Sequence, residues 1–429
     1  MPFRIAAPPP TGQERTRLAS FIVAMCLVIL WPACWEGDSG PATYPLSPEL
    51  QAVMAGLSEQ RGLPAATNIR AGLVRRDDVR SVVGDALSDS DSQAFAHLTS
   101  LYRLLGHLGP VEDYEDLYLD FVADALVGLY LPLTDEFLVV DDGESIDFAA
   151  LSALQRSIVA HEFVHALQDS AFDVPKLFEA AGDELDWTLA LTAVIEGDAV
   201  LHEGLWTRGH AQQVGAGRAW LGAQAPRAAV PPSVEREWRF PYEAGTEWVS
   251  VVRASGGQQA VDTVLRGRRI TTAEILHPEL FASGWKRADV ALPDLAHGLG
   301  SGWKHESGGS FGEFNLRNLL QLHLPGLVSV TACAGWAGDR YDVYRSGSES
   351  VAAIRVAFSS AGESAEFVAA IAQWLDAAGG VRGAAGQPLY SLRDGRGLAV
   401  TSPAANEVLL VFGTTPSTAG EALQLLGGS

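Results

Sequence analysis

Five consecutive residues, His161-Glu162-Phe163-Val164-His165, constrain this chain more than any other feature. They sit within LSALQRSIVAHEFVHALQDSA, residues 151–171, where apolar residues recur at helical spacing and no Gly or Pro intervenes. That pattern predicts a helix. Residues four apart on a helix are offset by only about 40° and rise about 6 Å. His161 and His165 therefore present their imidazoles side by side, as two ligands of one tetrahedral zinc require. Glu162 borders the same face, within reach of a water on such a metal, and is placed to take that water's proton.

A third ligand is expected on a second helix, spanning about 186–208. It carries Ile195-Glu196-Gly197-Asp198-Ala199, and Glu196 lies 31 residues beyond His165, enough chain to turn and cross the first helix. A carboxylate on an otherwise apolar face needs a partner, and a zinc ion supplies one. A glutamate ion-paired in a helix interface is the alternative. Small Gly197 and Ala199 suit a close helix crossing. Asp169 continues the histidine stripe but stands about 12 Å along the helix from His161, too far to share one ion. It is expected to hold His165 from behind instead, with His202 and Glu203 as further candidates for that supporting role.

Upstream, Ala125 to Asp142 reads as two strands, Val127–Leu131 and Glu136–Val140, about a Pro-Leu-Thr-Asp turn. An exposed edge on this hairpin would accept an extended peptide as an added strand. Residues 104–155 hold twelve acidic side chains and no Lys or Arg, the pattern of a solvated face. His97 and His107 read as structural or surface histidines.

Formal charge is −22, from 52 acidic against 30 basic residues, which argues against binding nucleic acid. Hydrophobic residues make up 47%, enough for a substantial core. Residues 1–33 read as an export signal: arginines precede a short apolar run, residues 18–30, that ends at Trp31-Pro32-Ala33-Cys34. Lipid attachment at Cys34 is expected, with an uncleaved anchor or plain secretion as alternatives. Either tether would place the protein at the cell envelope, outside the cytoplasm. Residues 34–48 form a Gly/Pro/Ser-rich tether. Cys333 is then a buried thiol, unless it pairs with Cys34. Beyond residue 300, strand-like and helix-like runs alternate, suggesting a small α+β lobe over 301–429.

Taken together, AHEFVHALQDSAFD and ALTAVIEGDA resemble the gluzincins, zinc metallopeptidases with two histidines on one helix and a glutamate on a following one. With GLYLPLTDEFLVV, FPYEAGTEWV, ILHPELF, FGEFNLRNLL and GWAGDRYDVY, the chain also resembles a narrower group of bacterial secreted and lipoprotein metallopeptidases. The likeness covers roughly residues 70–375. It implies an α+β fold: a mainly helical zincin-like domain over 49–300, with a short β-hairpin before the active-site helix, plus the C-terminal lobe. It implies one catalytic zinc on His161, His165 and Glu196, with Glu162 as general base and a peptide or protein as substrate. Zinc peptidases also use a Tyr or His to stabilise the oxyanion, and Tyr242 and His277 are the candidates by position and resemblance. Better-known gluzincins place an aspartate one turn after the third ligand, whereas Val200 stands there in this chain. A non-catalytic zincin-fold scaffold, or a zinc hydrolase of a non-peptide substrate, are the competing functions.

Overall fold

The computed structural model describes residues 41–429 except 142, 144–147, 149–150, 183, 210–229, 384–387 and 428–429. The expected signal and Cys34 lie outside the described residues. The fold is α+β, and its described residues group into two compact units made of interleaved segments. Among the described residues, one draws on the ranges 41–88, 118–175 and 198–209, the other on 89–117, 176–197 and 230–427. Among the described residues no helix is long and apolar enough to cross a membrane.

In the first unit, strands β1 (Thr43–Pro45), β2 (Arg70–Arg75), β3 (Gly128–Leu131) and β4 (Glu136–Asp141) form a sheet of order β1-β2-β4-β3. The β3–β4 hairpin agrees with the sequence pattern almost residue for residue. Asp135 turns it with a φ of 53°, a left-handed conformation that aspartate tolerates. Strand β2 was not expected, because Arg70 and Arg75 flank a run too short to show alternation. It pairs parallel to β4. Nor is the tether free over its whole length: Thr43–Pro45 pairs with β2, and the Thr43 hydroxyl donates to Glu136 at 2.8 Å.

Helix α1 (Pro48–Arg61) starts on Ser47, whose hydroxyl accepts the Leu50 N–H, and stops at Gly62 with φ 77°. Helix α2 (Ala153–Phe172) carries the two histidines. A reciprocal capping box opens it, with Gln155 N–H on the Ser152 hydroxyl and Ser152 N–H on the Gln155 side chain. Leu50, Met54 and Leu57 of α1 meet Val159, Phe163 and Leu167 of α2, with Phe137 and Val139 of the sheet, in one core. Gly128 lets β3 lie close on α2, since a Cβ there would stand 2.6 Å from Ile158.

Helix α3 (Leu185–Gly209) is continuous, and the division between the units falls within it, between Gly197 and Asp198. Helix α4 (Pro232–Leu265) belongs to the second unit. It begins at Pro232, in Ala/Gly/Pro-rich sequence that by itself reads as loop, because Pro232 suits a first helical turn. Pro241 lies inside the helix and Gly257, at φ 69°, breaks it. The small residues at the C-terminal half of the Glu196 motif divide their work. Gly197 faces Gly245 of α4 rather than α2, while Ala199 packs with the α2 core.

The second sheet runs β5-β6-β7-β11-β10-β9-β8 and is antiparallel throughout its pairings. Its strands are β5 (Lys304–Gly309), β6 (Trp336–Ser346), β7 (Glu349–Phe358), β8 (Val381–Arg382), β9 (Leu389–Ser391), β10 (Gly397–Thr401) and β11 (Glu407–Gly413). Alternation along β11 feeds two helices. Leu409 and Val411 pack with Ala422 and Leu423 of the helix Pro416–Leu425, while Phe412 meets Trp374 of the helix Ala361–Ala377. Cys333 is buried, and among the described residues nothing bridges it.

Asp186, in the first turn of α3, is bonded within the second unit. Its carboxylate accepts the N–H and hydroxyl of Thr272 at 2.8 and 2.5 Å and the Ser310 hydroxyl at 3.4 Å. Ser310 also reaches Asp339 at 3.0 Å. Burial, then the Asp339 charge, push the Asp186 carboxyl up to about 7. The unfolded chain releases this proton near pH 4, so its stabilising share is complete below that and is lost as pH rises to about 7. Asp186→Asn keeps an oxygen for Thr272 and an amide for Ser310. Melting near pH 4 should be unchanged, and melting at pH 8 should rise by about 5 °C. Equal shifts at both pH values would refute the account.

Candidate metal centre

Four residues of the expected centre are buried without remainder: His161, Glu162 and Glu196 are 0% exposed and His165 1%. Side-chain atoms of His161, His165 and Glu196, one from each residue, lie within 4.8 Å of one another. The two Nε2 atoms are 3.0 Å apart, with the ring planes at 83°. Two nitrogens on one tetrahedral zinc stand about 3.3 Å apart, so the pair needs only a small opening to share an ion.

The rings are held from behind. His161 Nδ1 faces Glu203 Oε2 at 3.3 Å, and His165 Nδ1 faces the Gln168 carbonyl oxygen at 2.9 Å. Each partner is an acceptor, so each Nδ1 carries the hydrogen and each Nε2 presents a lone pair. Two lone pairs directed at a common buried point suit a cation there, and the donor set of two imidazoles and a carboxylate suits zinc among others.

Gln168 is oriented in turn. Its amide nitrogen donates to Asp198 Oδ2 at 2.9 Å, and the same oxygen receives the Arg61 guanidinium at 2.7 Å. Arg61 and Asp198 have fully buried side chains. Burial alone would raise the Asp198 carboxyl, but Arg61, His202 and Gln168 outweigh it and hold it below the ordinary carboxylate value. His202 Nε2 lies 3.6 Å from Asp198 Oδ1, and the His202 carbonyl accepts from Gln60 at 2.8 Å. Glu203 also takes the Ser157 hydroxyl.

Of the supporting residues named from sequence, Glu203 and His202 stand in this shell, the one on His161 and the other on Asp198. Asp169 does not hold His165. It accepts the Tyr130 hydroxyl and the Val174 N–H, each at 3.1 Å, and burial pushes it up to about 6. Gln168, three residues after His165 rather than four, takes that place. Its i,i+3 spacing was a usable signal. Arg61, more than a hundred residues before its partner, left none.

Glu162 Oε2 accepts the Tyr130 N–H at 3.0 Å. Strand β3 does end the sheet, but all four of its residues are buried, so the edge is not the exposed one the hairpin pattern suggested. A peptide added there would have to take over that N–H.

Tyr242 lies on α4, 6% exposed, one turn before Gly245. Gly245 is where α4 touches α3: a Cβ on it would come within 2.0 Å of the Ala193 carbonyl oxygen. His277 caps the end of the helix Thr272–Leu276, as its Pro278 implied. Its Nε2 is 3.1 Å from both Glu313 and Arg317.

A family described as "Domain of unknown function (DUF8575)" matches residues 303–423, which contain the second sheet's strands and neither α2 nor α3. No curated protein and no solved structure matches the chain.

Proposed function

We propose that the chain is a zinc-dependent, zincin-like metallopeptidase, working outside the cytoplasm from a tether at Cys34. The observation that carries this reading is the buried His161/His165/Glu196 cluster, with both imidazoles backed at Nδ1 and Glu162 beside them. A zinc ion bound there would supply a Lewis acid that polarises a scissile carbonyl and acidifies water. Glu162 removes the proton from the attacking water and delivers it to the leaving amine. Its hold on the Tyr130 N–H fixes the carboxylate against β3, so substrate entry and the aim of the base are linked. Tyr242, a turn from the α3–α4 contact, and His277, bound by Glu313 and Arg317, are the two candidate donors for an oxyanion.

A second reading, a non-catalytic protein with a structural metal, draws on the complete burial of all four residues, since structural zinc sites are closed. A general base next to the ligands favours the enzyme. Purified protein should hold about one zinc per chain by elemental analysis, and His165→Ala should abolish tight binding. Full zinc occupancy in that variant would sink the assignment.

A further inference from the structure

We propose that Arg61, the last residue of α1, is a positioning residue for the metal. Acting through Asp198 and Gln168, it holds His165 in the tautomer that presents Nε2 to the ion. This rests on the metal-centre reading.

Each hydrogen bond in this relay has a fixed direction. An arginine side chain can only donate, and an ionised carboxylate can only accept. The 2.7 Å contact from Arg61 Nε to Asp198 Oδ2 therefore has one polarity. Asp198 accepts again, from the Gln168 amide nitrogen at 2.9 Å. A glutamine amide is donor at one end and acceptor at the other. With its nitrogen committed to Asp198, only its oxygen remains for His165, and the 2.9 Å contact to Nδ1 must be an N–H donated by the ring. A neutral imidazole with hydrogen on Nδ1 has its lone pair on Nε2, 3.0 Å from that of His161. Reversing the amide would turn its NH2 on Nδ1 and its oxygen on the Asp198 carboxylate, acceptor against acceptor, and would move the ring hydrogen to Nε2, blocking the ligand.

Neither Arg61 nor the carboxylate it pairs with can reverse, so the sense of the whole chain is set at that ion pair. All of its links are buried: Arg61 is 3% exposed and Gln168 and Asp198 0%. Water is thus not at hand to substitute for a lost member, and the cost of a mismatch falls on the ring. The anchor is not on either metal helix. It comes from the last turn of α1, where neighbouring Gln60 also binds the His202 carbonyl of α3. Docking of α1 is thereby coupled to metal affinity.

The test uses zinc alone as the probe, on folded full-length protein, by competition with a chelator. Gln168→Met, nearly isosteric and uncharged, and Arg61→Met should each weaken zinc binding by about tenfold to a hundredfold. Arg61→Lys, which can still donate to Asp198, should recover most of the affinity. Nitrogen chemical shifts of the metal-free protein should show His165 protonated at Nδ1 in the wild type and losing that preference in Gln168→Met. A merely structural role would lower the melting temperature without moving either readout. Wild-type affinity in both methionine variants, or hydrogen on Nε2 of His165 in the metal-free wild type, would overturn the wiring and leave the metal reading intact. Should Arg61→Met fail to fold, Gln168→Met and Arg61→Lys decide the question. A wild-type chain that takes up no zinc would overturn the metal reading itself, and this proposal with it.

Discussion

Glu162→Gln should keep its zinc and its fold while losing peptide hydrolysis by about a hundredfold or more, the scale of a removed general base. The substitution is nearly isosteric, and glutamine retains an oxygen for the Tyr130 N–H that Glu162 accepts at 3.0 Å. Lost packing or a displaced β3 cannot easily imitate the result. Glu196→Ala should behave differently, losing zinc as well as activity, because Glu196 stands among the ligand atoms. The pair separates base from ligand, with zinc content and cleavage of a peptide library as the two measurements. If Glu162→Gln cleaves as fast as wild type, the mechanism is wrong whatever its zinc content. If wild type binds zinc but cleaves no peptide, the structural-metal reading gains.

Gly197→Ala should be strongly destabilising. In an exposed helix the same exchange stabilises by about 1 kcal/mol. Here the sign reverses. A Cβ on Gly197 would stand 2.3 Å from both the carbon and oxygen of the Gly245 carbonyl, and one on Gly245 would stand 2.0 Å from the Ala193 oxygen. These are helix backbones, which cannot swing aside as a side chain can. The helices must separate, at a cost of at least about 3 kcal/mol. Glu196 is the preceding residue, so the carboxylate moves with the displaced turn and zinc affinity should fall together with the melting temperature. Thermal melting with and without zinc checks both. A Gly197→Ala protein that melts like wild type would show that the crossing is looser than drawn.

The hairpin and the histidine helix were legible because their signals are local. Two short apolar runs about Pro132-Leu133-Thr134-Asp135 marked the strands, and an uninterrupted 3.6-residue period marked α2. In the C-terminal region the long strands β6 and β7 and the helix Ala361–Ala377 were legible for the same reason. Strand β2 was not. Six residues with arginine at both ends carry no alternation, and it becomes a strand only because β1 and β4 flank it. The first turns of α4 were hidden likewise, by proline and alanine that read as loop until Pro232 is seen at the helix start.

For the site, the sequence by itself determined which residue types could meet at one point. Helical spacing sets His161 beside His165 whatever the rest of the chain does, and Glu196 on a second apolar helix needed a buried partner. What stands behind the ligands was decided by tertiary structure alone. Asp169 and Gln168 lie one residue apart on α2, and both were within reach of His165 by spacing. Tyr130 and the Val174 N–H take Asp169, while Asp198 and Arg61 take Gln168. That choice depends on where α1 and β3 pack. It also depends on the rule that a buried donor or acceptor must find its complement, which operates across space and leaves no period along the chain.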